Sequence, residues 1–207
     1  GSLAEIGKDW PTAESHYRDV LASGKPGAAA LRLPVVLMQQ RQRDAAYAQL
    51  HTVQDDPDYS DEIRREAFRM EIQFNRALQA DAATRQAVYR RALAYWPDAH
   101  ALRYQYAMDL FESGSREQSL SQLRALVRQA PADADALNAY GYILAKDLDR
   151  PKAGFKPIRT AYLLAPGQAE ILDSYGYVLY RLGRSLEALP LLQQAMRLTP
   201  SAVTAGH

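Results

Sequence analysis

Pro97, Pro131, Pro166 and Pro200 stand 34, 35 and 34 residues apart, and this ladder constrains the fold more than any other feature of the chain. A self-similar period near 34 residues marks an array of helix–turn–helix units, each too small to bury its apolar face alone and therefore stacked on its neighbours. Proline cannot continue a helix, so each one closes a unit. Two stretches 35 residues apart read as the first helices of their units: Ala136-Leu137-Asn138-Ala139-Tyr140-Gly141-Tyr142-Ile143-Leu144 and Ile171-Leu172-Asp173-Ser174-Tyr175-Gly176-Tyr177-Val178-Leu179. Glycine inside a helix costs about 1 kcal/mol of propensity, so Gly141 and Gly176 imply a partner helix packed closely against a missing Cβ. In the last unit Gly183 reads as a helix C-cap and Ser185 as the next N-cap, and Ala188, Leu192 and Ala195 then form an apolar stripe at helical spacing.

The same reasoning predicts helices over 3–22, 27–42, 44–55, 60–79, 82–95, 98–113, 116–129, 132–146, 151–164, 168–182 and 185–198. No segment alternates with period two, so no sheet is predicted. Pro34, Pro157 and Pro190 fall inside these helices, where each removes a backbone donor and favours a kink. Gly154 and Pro157 together make 151–164 the helix expected to start late or curve irregularly. One extra residue falls near Lys146–Arg150 relative to the following unit.

The pattern resembles the tetratricopeptide repeat. In the last unit Leu172, Tyr175, Gly176, Leu179, Ala188, Leu192, Ala195 and Pro200 occupy the family's signature positions. The unit before it matches at Leu137, Tyr140, Gly141, Leu144, Ala161 and Pro166, and the one before that at Tyr106, Ala107, Leu110, Leu123 and Pro131. Ile72, Tyr89 and Ala92 carry a weaker unit, Leu33, Leu37, Ala46, Leu50 and Val53 a degenerate one, and Trp10, Ala13, Tyr17 and Val20 a lone second helix. The resemblance implies an all-α fold: a right-handed superhelical solenoid of antiparallel helix pairs, with about five repeats plus a partial one. It implies one solenoid domain over 1–207, with degenerate repeats over 3–97 and regular repeats over 98–131, 132–166 and 167–200. Residues 201–207 would open a further repeat. Both ends are expected to be cut, leaving a piece of a longer array whose exposed apolar ends self-associate.

In such arrays the first helices line a concave face that holds a ligand. The family positions carried over are Met70 and Phe74; Tyr104, Met108 and Phe111; Asp135, Asn138 and Tyr142; and Glu170, Asp173, Tyr177, Tyr180 and Arg181. Tyrosine suits an interface because it offers a rigid apolar face and a hydroxyl, and Asn138 could hydrogen-bond a peptide backbone in both directions. Tyr140 and Tyr175 stand at packing positions. The lysines of the subclass that clamps a C-terminal carboxylate are absent from the matching positions, so the groove reads as aromatic and slightly acidic, suited to an apolar and basic peptide or helix. The implied function is a non-catalytic scaffold or adaptor that binds a partner polypeptide. The paired Tyr-Gly-Tyr strings also look like envelope proteins of Gram-negative bacteria, some of them outer-membrane lipoproteins that recruit a periplasmic processing protease and its substrates. A periplasmic or outer-membrane-associated location is therefore expected over a cytoplasmic one. The alternatives are a non-catalytic segment of a larger glycosyltransferase or protease, and an assembly factor for pili or secretion.

Several function classes are disfavoured. Net charge is +1 with both signs interspersed, which gives no footprint for nucleic acid. No apolar run approaches the roughly 20 residues of a membrane helix. The chain has no cysteine, which excludes thiolate metal sites and disulfides. His16, His51, His100 and His207 are well separated, and no zinc-protease, serine-hydrolase or phosphate-loop motif occurs, so neither catalysis nor a cofactor or metal is expected. The acidic run Asp55–Glu62 lacks the glycine of a calcium loop. It reads instead as a helix start, capped by Ser60, with Asp61 and Glu62 at the positive end of the helix.

Overall fold

The computed structural model describes residues 2–24 and 27–199, and every regular element among them is helical. The chain divides into two compact units, Gly1–Tyr95 and Trp96–His207. The first contains α1 (Ser2–Ile6), α2 (Trp10–Ala22), α3 (Ala29–Gln39), α4 (Arg43–Asp55), α5 (Asp61–Ala77) and α6 (Ala82–Tyr95). The second contains α7 (His100–Glu112), α8 (Arg116–Gln129), α9 (Ala134–Tyr142), α10 (Pro151–Leu164), α11 (Ala169–Arg181) and α12 (Ser185–Leu198). A π-helical turn, Ile143–Asp147, continues α9 without a break. Pro200 and the expected start of a further repeat at 201–207 lie outside the described residues.

One turn geometry builds both units. Lys8, Arg41, Gln79, Gly114, Asp149 and Gly183 each adopt positive φ, between 54° and 84°, at the turn between the two helices of a pair. The next amide bonds back into the preceding helix: Asp9 to the Ala4 carbonyl, Gln42 to Leu37, Ala80 to Asn75, Ser115 to Leu110 and Arg184 to Leu179. This is the left-handed cap that satisfies the last carbonyls of a helix. At the fifth turn in chain order Arg150 reaches Leu144, one residue farther than the others. The extra residue counted near Lys146–Arg150 is thus absorbed by the π-turn, the local form that one inserted residue takes in an α-helix.

Two expectations need correction here. The single helix expected over 3–22 is two, because Lys8 makes the repeat's own turn and Asp9 caps α2 by accepting a hydrogen bond from the Thr12 amide at 3.3 Å. Tyr17 and Arg32 both bond Glu5, which fastens α1 to α2 and α3. The irregularity expected in 151–164 falls instead in the helix before it. α10 begins on time with Pro151 in its first turn, and α3, α10 and α12 each continue through their proline.

The close approach expected at the glycines is present. A Cβ on Gly141 would meet Ile158 Cγ1 at 2.5 Å and the Gly154 carbonyl oxygen at 2.8 Å, and one on Gly176 would meet Leu192 Cγ at 2.6 Å. Gly154, expected to weaken its helix, lies backbone to backbone against Gly141. The cores follow from the same spacing. In the first unit Leu33, Val36, Leu37 and Ala46 pack with Ala13 and Tyr17, and Leu50, Val53 and Ala67 form a second cluster. In the second unit Leu120, Leu123, Ile143 and Leu144 enclose Ala107, while Ala145, Ile158 and Val178 join the π-turn to α10 and α11. On α12, Leu186, Leu189 and Met196 remain exposed.

Gln79 holds the left-handed turn position that glycine fills at Gly114 and Gly183. A side chain in that conformation costs about 1 kcal/mol or more, so Gln79→Gly should stabilise the first unit by roughly 0.5–1 kcal/mol after glycine's own entropic cost. A rise in the urea midpoint, followed by fluorescence of Trp10, checks it.

Candidate binding surface

In the second unit three first helices carry, toward their C-terminal ends, an aromatic residue with a cation over its ring. Arg116 lies 5.9 Å from the Phe111 ring centroid, Lys146 Nζ 4.9 Å from that of Tyr142, and Arg181 5.7 Å from that of Tyr177. A cation is drawn to the electron-rich ring face, and it also bonds the hydroxyl where tyrosine supplies one. Lys146 donates to the Tyr142 oxygen at 2.5 Å, and Arg181 donates to the Tyr177 oxygen at 2.8 Å. The Tyr142 and Tyr177 rings stand 6.0 Å apart, tilted by 53°, and both are half-buried. They form a two-ring seat between α9 and α11.

The π-turn shapes the charge around that seat. Asp147 pairs back to Arg116 at 3.7 Å, and Asp149, just past the turn, pairs forward to Arg181. The bond to Asp149 raises the pKa of Arg181, and the bond to Tyr142 raises that of Lys146, so both cations stay charged across the physiological range. The opposite ends of these helices are acidic. Asp133 caps α9 through the Ala136 amide at 2.9 Å, and Asp135, Glu170 and Asp173 are exposed on the opening turns of α9 and α11. Tyr104 feels that end: burial, then the charges of Asp135 and Asp133, raise its pKa.

The other residues expected at the site are placed differently. Met70 is only 8% exposed and belongs to the core cluster of the first unit, with Phe74 packed on that cluster and edge-on to Tyr47 at 6.4 Å. Tyr104, Met108 and Phe111 are half-buried against the Ala107–Leu123 cluster. Asn138 does not present both halves of its amide, since its Oδ1 is enclosed without a hydrogen-bond partner among the described residues. Tyr180 is 61% exposed. Of the packing tyrosines, Tyr175 stacks on Tyr162 at 5.0 Å and Tyr140 is half-buried. The sequence reading missed Lys146, Asp149 and Arg116. A signal was present for the first, because Lys146 follows Tyr142 by four residues just as Arg181 follows Tyr177.

The first unit holds a polar cluster that the reading also missed. Glu71, whose side chain is 6% exposed, accepts from Arg91 Nη1 at 3.3 Å on both oxygens and from the Gln54 amide at 2.7 Å, and His51 Nε2 lies 3.1 Å away. Arg91 also donates to Gln54 Oε1 at 2.5 Å. Tyr47 donates to Asn75 at 2.7 Å beside it. This cluster joins α4, α5 and α6. Among the described residues, no group of three or more histidine, aspartate or glutamate side chains could hold a metal ion, and no helix is long and apolar enough to cross a membrane. Ser60 caps α5 through the Ile63 amide at 3.4 Å, so the acidic run there is a helix start.

A TPR repeat-containing protein of Pseudomonas aeruginosa is 31% identical over 211 residues, covering 100% of this chain and 34% of the relative. The six recurring turns among the described residues, each inside a helix pair, fit that name. The chain is a tetratricopeptide-repeat array. It spans about a third of the length of that relative. A second relative, cellulose synthase operon protein C of Salmonella typhimurium, is 36% identical over 64 residues, 30% of this chain and 5% of its own length. Searched against family models, the chain matches none. Many solved structures share the fold of this tetratricopeptide-repeat chain, and two of them illustrate it. One is YrrB, described as a TPR protein with an unusual peptide-binding site, with TM-score 0.62, 15% identity and 92% and 95% of the two chains covered. The other is MamA from Desulfovibrio magneticus, with TM-score 0.55, 19% identity and 91% and 94% covered. At these identities the likeness shows the fold alone.

Proposed function

We propose that this chain is a non-catalytic scaffold that binds a partner polypeptide on the surface formed by α7, α9 and α11. The observation that carries the reading is the Tyr142–Tyr177 pair, two half-exposed rings 6.0 Å apart with their hydroxyls already oriented by Lys146 and Arg181. Rigid aromatic seats of this kind dominate binding energy at protein interfaces. That YrrB is described with a peptide-binding site supports the same use of the fold.

The finer reading is an adaptor in the envelope of a Gram-negative bacterium that recruits a processing protease or its substrates. The Pseudomonas relative supports the bacterial setting, and the paired Tyr-Gly-Tyr strings support the envelope. The test is capture from an envelope extract by the native chain and by a Tyr142→Ala/Tyr177→Ala variant with unchanged helical circular dichroism. Truncating two interface aromatics is expected to weaken a specific partner by about a hundredfold or more. Equal capture by both chains would remove the site from this surface, and recovery of cytosolic proteins alone would overturn the envelope placement.

A further inference from the structure

The charge at the tyrosine seat is opposite to the one expected from the sequence. Lys146 and Arg181 stand at the C-terminal ends of their first helices and Arg116 opens α8 beside the end of α7, while the π-turn region brings two carboxylates to these three cations. Asp147 meets Arg116 and Asp149 meets Arg181. Among the described residues, no carboxylate lies within ion-pair distance of Lys146, which feels Asp147 only through space; its one hydrogen bond is to the Tyr142 hydroxyl. The acids that made the groove read as acidic, Asp135, Glu170 and Asp173, lie with Asp133 at the opposite ends of the same helices. The surface is therefore polar across its width, acidic where α9 and α11 begin and basic where they end.

We propose that the edge formed by Lys146, Tyr142, Tyr177 and Arg181 takes an acidic side chain of the partner polypeptide, with an adjacent apolar residue seated on the two rings. The inference rests on the polypeptide-binding reading above and adds the chemistry of what is bound. A glutamate or aspartate supplies the carboxylate that Lys146 lacks, and bonds to an ionised donor exceed those to neutral ones. Lys146 reaches the Tyr142 ring at the same four-residue spacing by which Arg181 reaches Tyr177, and Asp149, just past the π-turn, reaches Arg181. Asp149 then acts as a built-in competitor, holding one of the two cations at the seat.

The test uses three short fluorescein-labelled peptides in which phenylalanine alternates with glutamate, glutamine or lysine, each capped by acetylation and amidation, and reads binding by fluorescence anisotropy. The glutamate peptide is expected to bind tightest, with affinity that falls as salt rises. Lys146→Met should weaken it about fivefold, what one exposed ionic contact supplies, and leave the glutamine peptide unchanged. Asp149→Asn should tighten it by freeing Arg181, and asparagine tolerates the left-handed backbone of that position. Preference for the lysine peptide, or no effect of Lys146→Met, overturns the proposal. A fourth, glutamine peptide with a free C-terminus covers the other source of a carboxylate; if it alone gains affinity through Lys146, the side-chain assignment is wrong. If the glutamine peptide binds in a Tyr142- and Tyr177-dependent way and the glutamate peptide binds no better, this inference fails while the scaffold reading stands. If no peptide binds, both fail.

Discussion

Glu71→Ala is expected to destabilise the first unit by about 3 kcal/mol, because removing one partner of a buried ion pair strands the other groups of its cluster. Gln54 is fully buried, and its amide would lose its bond to the carboxylate and keep only the Ala67 carbonyl at 3.2 Å. An enclosed donor with too few acceptors costs about 1–3 kcal/mol. Arg91 is less constrained, since its side chain is 37% exposed and can turn toward water, which keeps the total near the low end for such pairs. The apolar replacement separates geometry from charge. Glu71→Met/Arg91→Met/Gln54→Met removes both charges and the buried amide at similar volume and should recover much of the loss, since exchanging a buried polar cluster for packed hydrophobic groups is often neutral. Urea unfolding followed by Trp10, which packs on the core of α2, α3 and α4, reads the unit that contains the cluster. A Glu71→Ala midpoint within error of the native chain would mean that Arg91, Gln54 and His51 are solvated and the cluster contributes nothing.

The sequence made the repeat legible where one physical demand acts at one spacing. The prolines, the Tyr-Gly-Tyr strings and the small residues at Ala161, Ala188 and Ala195 all answer the packing of one helix pair on the next, so their period shows directly. The break at Lys8 was masked because Leu3, Ala4 and Ile6 continue an apolar pattern, although Asp9 and Pro11 carried the cap and first-turn signals. The π-turn showed only as a surplus residue, since periodicity counts residues and does not reveal which carbonyl each amide reaches. The Glu71 cluster was illegible for a different reason. Gln54, Glu71 and Arg91 come from three helices, and a charged residue in an amphipathic helix is assigned to water unless its partner is known. At the binding surface, residue types on the first helices were readable. Their burial was not: Met70 turned inward, and Lys146 and Asp149, which change the character of the site beside Arg181, came from the π-turn region, where the family pattern carries no signature.

Gly154→Ala should lower the stability of the second unit by about 2 kcal/mol, even though the same change in an ordinary helix interior raises it by about 1 kcal/mol. The sign reverses because the new methyl has no room. Its nearest neighbours are the Gly141 carbonyl oxygen, Ala145 Cβ at 2.9 Å and the Ala145 nitrogen at 3.1 Å, and two of those three are backbone atoms that cannot rotate away. Gly176 provides the internal comparison. A Cβ there meets mainly Leu192 Cγ and Cδ2, at 2.6 and 2.7 Å, and a leucine side chain can change rotamer. Gly176→Ala should therefore cost less than Gly154→Ala, with Gly141→Ala between them because it meets both Ile158 Cγ1 and the Gly154 carbonyl. Unfolding followed by the buried Trp96 of the second unit gives the order. An increase in stability for Gly154→Ala would show that α10 stands off from α9 by more than the packing described. The effect also reaches the surface. Ala145, which the new methyl would press, precedes Lys146 in the π-turn, so the variant should lose preference for the glutamate peptide before it loses its helices.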